Sequence, residues 1–181
     1  MIQATVRISY KLAVLMALGV LSLLPLLAWS APLEKSPQSL QWQPYQNQDL
    51  HFTIKLPKQW KVLEKGNVVG FTSPSQGPSY GAMGIMKSSK RGISIQEAAR
   101  QDIGASLDSK SSTQITTRLG GFPAVKVVTT PKSDPTRKLV QYYVRVGEDL
   151  FLVQCVGPSN QWAKYSALFA TMIRTFQFSP Q

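Results

Sequence analysis

The chain has 181 residues, of which 43% are hydrophobic, and it carries a formal net charge of +11 at pH 7. Its single cysteine excludes an internal disulfide, and its single histidine would have to take part in any Ser-His-Asp or Cys-His arrangement. The length after the first thirty residues suits one domain, because domains most often contain about 100 to 150 residues.

The first thirty residues have the composition of an export signal. Arg7 and Lys11 precede an apolar run over residues 12–27, which is followed by the sequence A-W-S-A. This pattern predicts a signal peptide over residues 1–30 that is cleaved after Ser30, and it places the mature protein outside the cytoplasm. An uncleaved membrane anchor is the alternative, since the apolar run just reaches the ~18 residues that a spanning helix needs.

Residues 31–48 are rich in proline, glutamine and serine and contain few aliphatic side chains. Such a segment buries too little surface to offset the entropy lost on ordering it, so a flexible tether is predicted. Its aromatic residues Trp42 and Tyr45 are expected to pack on the folded domain, which is predicted over residues 49–179.

Three strands are predicted before the first helix. Residues 52–56 alternate polar and apolar side chains, and Pro57 ends this strand. Residues 68–72 and 80–86 give the second and third strands. Trp60 lies on the turn after the first strand and is expected to cover the core.

The sequence Ser94 to Glu97 has the S-x-x-E spacing of a capping box, which predicts the start of a helix. Apolar residues then recur at intervals of four and form one stripe along the predicted helix. The stripe consists of Ile95, Ala99, Ile103 and Leu107, with Ala98 beside it.

Four further strands and a second helix complete the predicted pattern. The strands fall at residues 114–118, 122–130, 139–146 and 150–156, and the helix at residues 159–175. Apolar residues on both faces of the last strand predict a central position in the sheet. Because the strands occur in consecutive runs, the predicted fold class is α+β, with a mainly antiparallel sheet flanked by helices.

Several segments are similar, in order and spacing, to the PsbP-like family. Residues 52–60 (FTIKLPKQW) resemble the opening strand, proline and tryptophan of that family. Residues 121–124 (GFPA) resemble the turn before its long hairpins, and residues 142–155 resemble its pair of strands. Residues 172–176 (MIRTF) resemble the end of its closing helix, so that the resemblance covers about residues 50–178.

The resemblance implies an α/β/α sandwich with a central antiparallel sheet and no enzymatic activity. The best-known members of the family are extrinsic subunits on the lumenal side of photosystem II, where they support the retention of calcium and chloride at the oxygen-evolving cluster. Related domains occur in periplasmic proteins of non-photosynthetic bacteria.

Few residues could carry catalysis or bind a metal. Asp49 and His51 share one face of an extended segment and form a weak candidate site for a divalent metal, although a structural zinc site normally needs four ligands. An ordinary histidine at a strand edge is the alternative. Cys155 is expected in the core, where burial raises the pKa of a thiol, and the adjacent carboxylates Glu148 and Asp149 are expected at a hairpin tip. No catalytic residue and no tightly bound cofactor are therefore predicted.

Two loops are distinctly basic, and their cationic residues are the predicted partner-binding residues. These are Lys87, Lys90 and Arg91 in the first loop and Lys132, Arg137 and Lys138 in the second. If both loops reach the same edge of the sheet, they form a cationic patch that suits an acidic membrane protein or an anionic lipid surface. Ordinary solvated turns are the alternative.

The sequence thus predicts an exported, non-catalytic and monomeric PsbP-like protein. It is expected to bind or stabilise a membrane-associated complex, such as the lumenal side of photosystem II, through its basic loops and its tether. Nucleic acid is not an expected partner, because export separates the protein from it. The alternative is a periplasmic envelope-maintenance protein or a carrier of a small apolar ligand, and a large apolar cavity behind Trp60 and Trp162 would favour the carrier.

Overall fold

The computed structural model describes residues 40–75, 77–90, 92–105, 107–108 and 112–179. The predicted signal peptide, residues 31–39 of the predicted tether, and Arg91 lie outside the described residues.

Ten strands and two α-helices are found within the described ranges. The first half of the chain contains β1 (Trp42–Asn47), β2 (Phe52–Pro57), β3 (Lys61–Lys65), β4 (Val68–Thr72), β5 (Ala82–Ser88) and α1 (Ile95–Ala105). The second half contains β6 (Thr113–Leu119), β7 (Phe122–Thr129), β8 (Arg137–Val146), β9 (Asp149–Pro158), α2 (Trp162–Arg174) and β10 (Gln177–Phe178). Short 3-10 turns at Gly77–Ser79 and Ser159–Gln161 precede β5 and α2.

The strands form two antiparallel sheets. The larger sheet has seven strands in the order β3-β4-β5-β9-β8-β7-β6, and the smaller one has the order β1-β2-β10. The central position predicted for residues 150–156 is confirmed, because β9 is the fourth of the seven strands. Two helices with antiparallel sheets also confirm the predicted α+β class.

Each face of the seven-stranded sheet supplies its own hydrophobic core. Phe151, Val153 and Cys155 of β9 point to the face that carries α2 and the small sheet. Leu150 lies on the opposite face, where Ala98 and Ala99 of α1 cover it. Successive side chains of β9 point to opposite faces of the sheet, so α1 and α2, which cover these side chains, lie on opposite sides of it.

The core on the face that carries α2 and the small sheet is called the first core. Aromatic contacts hold α2 and the small sheet in it. The rings of Phe52 and Phe176 stack with centroids 5.3 Å apart, and Trp60 meets Phe169 edge to face at 6.0 Å. Trp60 is buried, as predicted for a residue that covers the core. Such ring pairs contribute about 0.5 to 1.5 kcal/mol each beyond the area that they bury.

The predicted start of α1 is confirmed by its hydrogen bonds. The Glu97 amide donates to Oγ of Ser94 at 3.1 Å, which satisfies one of the free amides at the helix start. The Glu97 carboxylate accepts from Arg100 at 2.7 Å. The predicted apolar stripe faces the sheet with Ala98 and Ala99 buried, but Leu107 lies beyond the end of α1, where it pairs with Pro131 in an isolated bridge.

Three strands were not anticipated by the sequence pattern. The predicted tether is wrong over Trp42–Asn47, which forms β1 and pairs with β2 along six residues. Strand β3 is exposed at every position, so it has no buried side chain to give it a period-two pattern. Strand β10 has only two residues and pairs with Phe52 and Thr53.

A close contact between Gly81 and Tyr165 fixes α2 against the loop before β5. A Cβ atom at Gly81 would lie 2.2 Å from Cε1 of Tyr165, so the ring occupies the space that any side chain would need. The Tyr165 hydroxyl donates to the carbonyl oxygen of Ser79 at 2.7 Å, and the Gly81 amide donates to Oγ of Ser73 at 2.9 Å. Only glycine fits here without displacing the ring.

Replacing Gly81 with alanine is expected to lower the free energy of unfolding by about 1 to 3 kcal/mol, because the new methyl group overpacks against Tyr165. Urea denaturation would measure the loss. The matched control is Gly84→Ala, whose Cβ meets no atom of a described residue within 4 Å and which should be neutral or slightly stabilising. Equal losses in both variants would contradict this account.

Removal of β1 is expected to lower the free energy of unfolding, whereas removal of a flexible tether would leave it almost unchanged. Tyr45 of β1 packs on Phe52 and Phe71 with centroid distances of 5.9 and 5.1 Å. A chain that begins at residue 49 should therefore be at least about 3 kcal/mol less stable than one that begins at residue 31. A chain that begins at residue 40 keeps β1 and serves as the control in the same urea titration. If the deletion to residue 49 had little effect on the free energy of unfolding, residues 42–48 would behave as part of a tether, and this prediction would be wrong.

Candidate functional site

The two basic loops lie at opposite ends of the seven-stranded sheet. Ser88, which ends β5, pairs with Leu150 at the start of β9, whereas Arg137 pairs with Pro158 at the end of β9. A strand advances about 3.4 Å per residue, so roughly 27 Å of β9 separates the two loops. The strand ends that carry the two loops therefore lie far apart, although the side chains of Lys90 and Lys132 both reach the last turn of α1, at Asp102 and Gly104.

Several of the predicted partner-binding cations are held by the protein itself. Lys87 forms an ion pair with Asp149 at 2.5 Å, and Lys90 forms one with Asp102 at 3.1 Å. The ammonium group of Lys132 donates to the carbonyl oxygen of Gly104 at the end of α1, at 3.1 Å. Lys138 is exposed.

Arg137 is a structural residue, not a surface cation. Only 8% of it is exposed, and its guanidinium lies 4.2 Å from the centre of the Tyr80 ring. Its Nη2 donates to the carbonyl oxygen of Tyr80 at 2.7 Å, which ties the start of β8 to the segment before β5. An aromatic face and a carbonyl oxygen stabilise the buried cation.

The candidate metal ligands Asp49 and His51 lie in the turn between β1 and β2. The His51 backbone has a φ of 51°, so the segment is not the extended one on which the two side chains would share a face. The premise of the weak metal site is therefore wrong. Across the described ranges, no three or more His, Cys, Asp or Glu residues are grouped so that they could hold a metal ion.

Cys155 is buried in the first core, as predicted. Burial raises the pKa of its thiol well above the ordinary value, which keeps it protonated and unreactive. The cavity beside it, between Trp162 and Tyr142, has a volume of about 70 Å³. A cavity of this size is far smaller than the ~300 Å³ or more of a ligand pocket.

The structure instead exposes part of the sheet on the side that carries α1. Cross-strand partners share a face, and one row across the sheet runs through Leu63, Gly70, Gly84, Gln154 and Gln141. The neighbouring row contains Lys65, Val68, Met86, Leu152 and Tyr143. We call the part of these rows on β3, β4 and β5 the open face, which comprises Leu63, Lys65, Val68, Gly70, Gly84 and Met86.

Helix α1 leaves the open face uncovered because it packs on β7 and β8. Among the described residues, a Cβ atom built at Gly84 would meet nothing within 4 Å, and one at Gly70 would touch only Leu63, at 3.8 Å. Leu63 is 63% exposed and Val68 is 36% exposed. Gly70 and Gly84 therefore form a flat surface without side chains, which we call the floor, and the apolar side chains of Leu63 and Val68 lie beside it.

A buried polar network borders the open face on the side of α1. The Tyr143 hydroxyl donates to Oδ2 of Asp102 at 2.9 Å, and Lys90 pairs with the other carboxylate oxygen. The same hydroxyl lies 2.9 Å from Oε1 of Gln141, whose amide donates to Gln154 at 3.2 Å. These contacts hold Gln154 beside Gly84 and give the floor a polar border.

Cationic side chains border the open face on its other side. Lys61 and Lys65 are exposed and alternate with Leu63 on the same face of β3, the edge strand. Neither lysine forms an ion pair with another described residue. Sequence reasoning missed them because β3 was not recognised; the pattern K-x-L-x-K at residues 61–65 was the available signal.

Within the part of the chain that the structure describes, no helix is both long enough and apolar enough to cross a bilayer.

No family model matches the chain. No curated protein sequence matches it either. Solved structures resemble it at low sequence identity. The solution structure of cyanobacterial PsbP (CyanoP) from Synechocystis matches with a TM-score of 0.55 and 12% identity, over 81% of this chain and 99% of that chain.

Two further structures show the same likeness. The Pseudomonas aeruginosa protein PA94 matches with a TM-score of 0.54 and 13% identity, over 77% of this chain and 99% of that chain. LpqN of Mycobacterium tuberculosis, described as involved in cell envelope biogenesis, matches with a TM-score of 0.51 and 12% identity, over 78% and 92% of the two chains. The chain therefore has a PsbP-like fold, which confirms the fold implied by the resemblance in sequence.

The buried phenol of Tyr142 is expected to make stability fall at high pH. Burial first, and the neighbouring Cys155 second, raise its pKa to about 12 from an ordinary value of 10.0. The unfolded chain releases this proton above pH 10 while the folded chain holds it, so stability present below pH 10 is lost as pH rises towards 12. Urea denaturation should show a shallower fall for Tyr142→Phe, by up to about 1.4 kcal/mol per pH unit. Parallel curves for the variant and the parent protein would contradict the assignment.

Proposed function

We propose that the chain is an exported, non-catalytic binding protein that docks onto a component of a membrane-associated complex through its open face. The observation that carries this proposal is the uncovered, partly apolar area on β3, β4 and β5 with Lys61 and Lys65 at its outer border. Apolar area beside unpaired cations is what a docking surface for an acidic partner requires.

The arrangement of reactive groups supports a binding role over catalysis. His51 is exposed in a turn, Cys155 is buried and protonated, and Asp149 is paired with Lys87. Acid and base catalysis needs such groups to converge in a cleft, within hydrogen-bond distance of one another.

The fold neighbours suggest where such a complex would be found. CyanoP is a cyanobacterial PsbP, and LpqN is described as involved in cell envelope biogenesis. The sequence of residues 1–30 predicts export in either setting. We propose the lumenal side of photosystem II in an oxygenic photosynthetic source, and a role in envelope maintenance in a non-photosynthetic one.

Reversing the two border charges is expected to release the protein from membranes. The tagged full-length chain, expressed in its source cells, should pellet with membranes at low salt and wash off at high salt. Lys61→Glu with Lys65→Glu should reduce the pelleted fraction about tenfold, because like charges then face the acidic partner.

The matched control is Lys132→Glu with Lys138→Glu, which changes the net charge equally on the other side of the sheet, because β8 is the fourth strand from β3. Its pelleted fraction should stay within about twofold of the parent. An equal loss in both double variants would indicate a general effect of net charge, and no loss in either would remove β3 from the docking surface; each result contradicts the proposal.

A further inference from the structure

The open face has the width of one missing helix. The strands that carry the open face, β5, β4 and β3, are separated by two spacings of about 4.8 Å, which together make about 10 Å. An α-helix with its side chains is about 10 to 12 Å wide, and neighbouring helices lie 8 to 10 Å apart. A second helix laid beside α1 would therefore cover the open face and complete this layer of the sandwich.

The side chains of the open face suit a helix that approaches closely. Gly70 and Gly84 are direct cross-strand partners, so their two missing side chains leave one continuous shallow area. No described atom lies within 4 Å of the place where a Cβ of Gly84 would stand. Leu63 and Val68 on one side and Leu152 on the other border this area.

Charge determines which kind of helix fits. On this face the outer border carries Lys61 and Lys65 without ion-pair partners among the described residues, whereas Lys90 on the inner border is already paired with Asp102. A cationic border on one side of an apolar floor selects an amphipathic helix with acidic residues along the flank that faces β3.

We propose that an acidic amphipathic helix of the protein's partner packs across Gly84, alongside α1. The inference rests on the proposed function, since it specifies what occupies the docking surface. Small apolar residues of the helix would lie on Gly70 and Gly84, its larger apolar residues between Leu63 and Leu152, and its acidic flank beside Lys61 and Lys65.

A photo-crosslinker at the centre of the open face tests the proposal in the source cells. The full-length chain would carry p-benzoylphenylalanine in place of Gly84, a position where added atoms meet open space. The control carries it in place of Thr116, an exposed residue on the same face of the sheet beyond α1. The cross-linked peptides are then identified by mass spectrometry.

We expect position 84, but not position 116, to cross-link to one protein segment whose acidic and apolar residues recur with helical spacing. Cross-links to a second copy of the chain, to its own residues 31–39 or to lipid would each overturn the proposal. The absence of any cross-link above that at position 116 would also overturn it.

A binding measurement with the identified segment completes the test. A synthetic peptide of that segment should bind the purified protein in fluorescence anisotropy and gain helical circular dichroism on binding. Gly84→Trp should weaken binding at least about tenfold, because it fills the floor, and Thr116→Trp should leave it unchanged. Equal binding by both variants, or binding without added helix, would overturn the proposal.

The outcome separates this inference from the proposed function. If membrane pelleting still depends on Lys61 and Lys65 while position 84 gives no cross-link, only the helix on the open face is excluded. If pelleting is insensitive to those lysines, the proposed docking surface itself is excluded.

Discussion

The structure depends on β9, a strand of the large sheet that is paired along both edges and contributes to a core on both faces. It pairs with β5 over seven residues and with β8 over ten, which joins the strands of the first half of the chain to those of the second. Phe151, Val153 and Cys155 anchor the core under α2, while Leu150 anchors the core under α1. A polar substitution on either face of β9 would therefore disturb one core directly and the pairing of both halves indirectly.

The elements with a buried, periodic face could be predicted from sequence. Strands β2 and β9 and helix α1 each have apolar residues at the spacing of their own secondary structure, and each lies close to its predicted residues. Strand β1 contains Pro44 and few aliphatic residues, and it is held by its pairing with β2 and by the contacts of Tyr45. Strand β3 has no buried residue, so only its partner β4 makes it a strand.

The candidate site was beyond sequence reasoning because it depends on register. Gly70 and Gly84 are fourteen positions apart, and only the pairing of β4 with β5 makes them neighbours on one face. The same pairing rules separate Lys90 from Lys138, since they belong to loops at opposite ends of β9. A sequence shows which loops are basic, but the end of the sheet at which each loop emerges follows from strand order.

Neither Gly70 nor Gly84 is required by the backbone geometry of the sheet. In the proposed complex, they are explained by the close approach of the partner's helix. Glycine in a strand interior costs roughly 0.5 to 1 kcal/mol relative to alanine, and neither Gly70 nor Gly84 has the positive φ that would require glycine. Gly81 differs, because Tyr165 occupies the space beside it. Where no contact among the described residues requires the absence of a side chain, close approach of a ligand or of another backbone is one physical reason for glycine in a strand. In the proposed complex, the cationic border on β3 selects a helix with acidic side chains, and these lysines also protect the free edge of β3 from pairing with another strand.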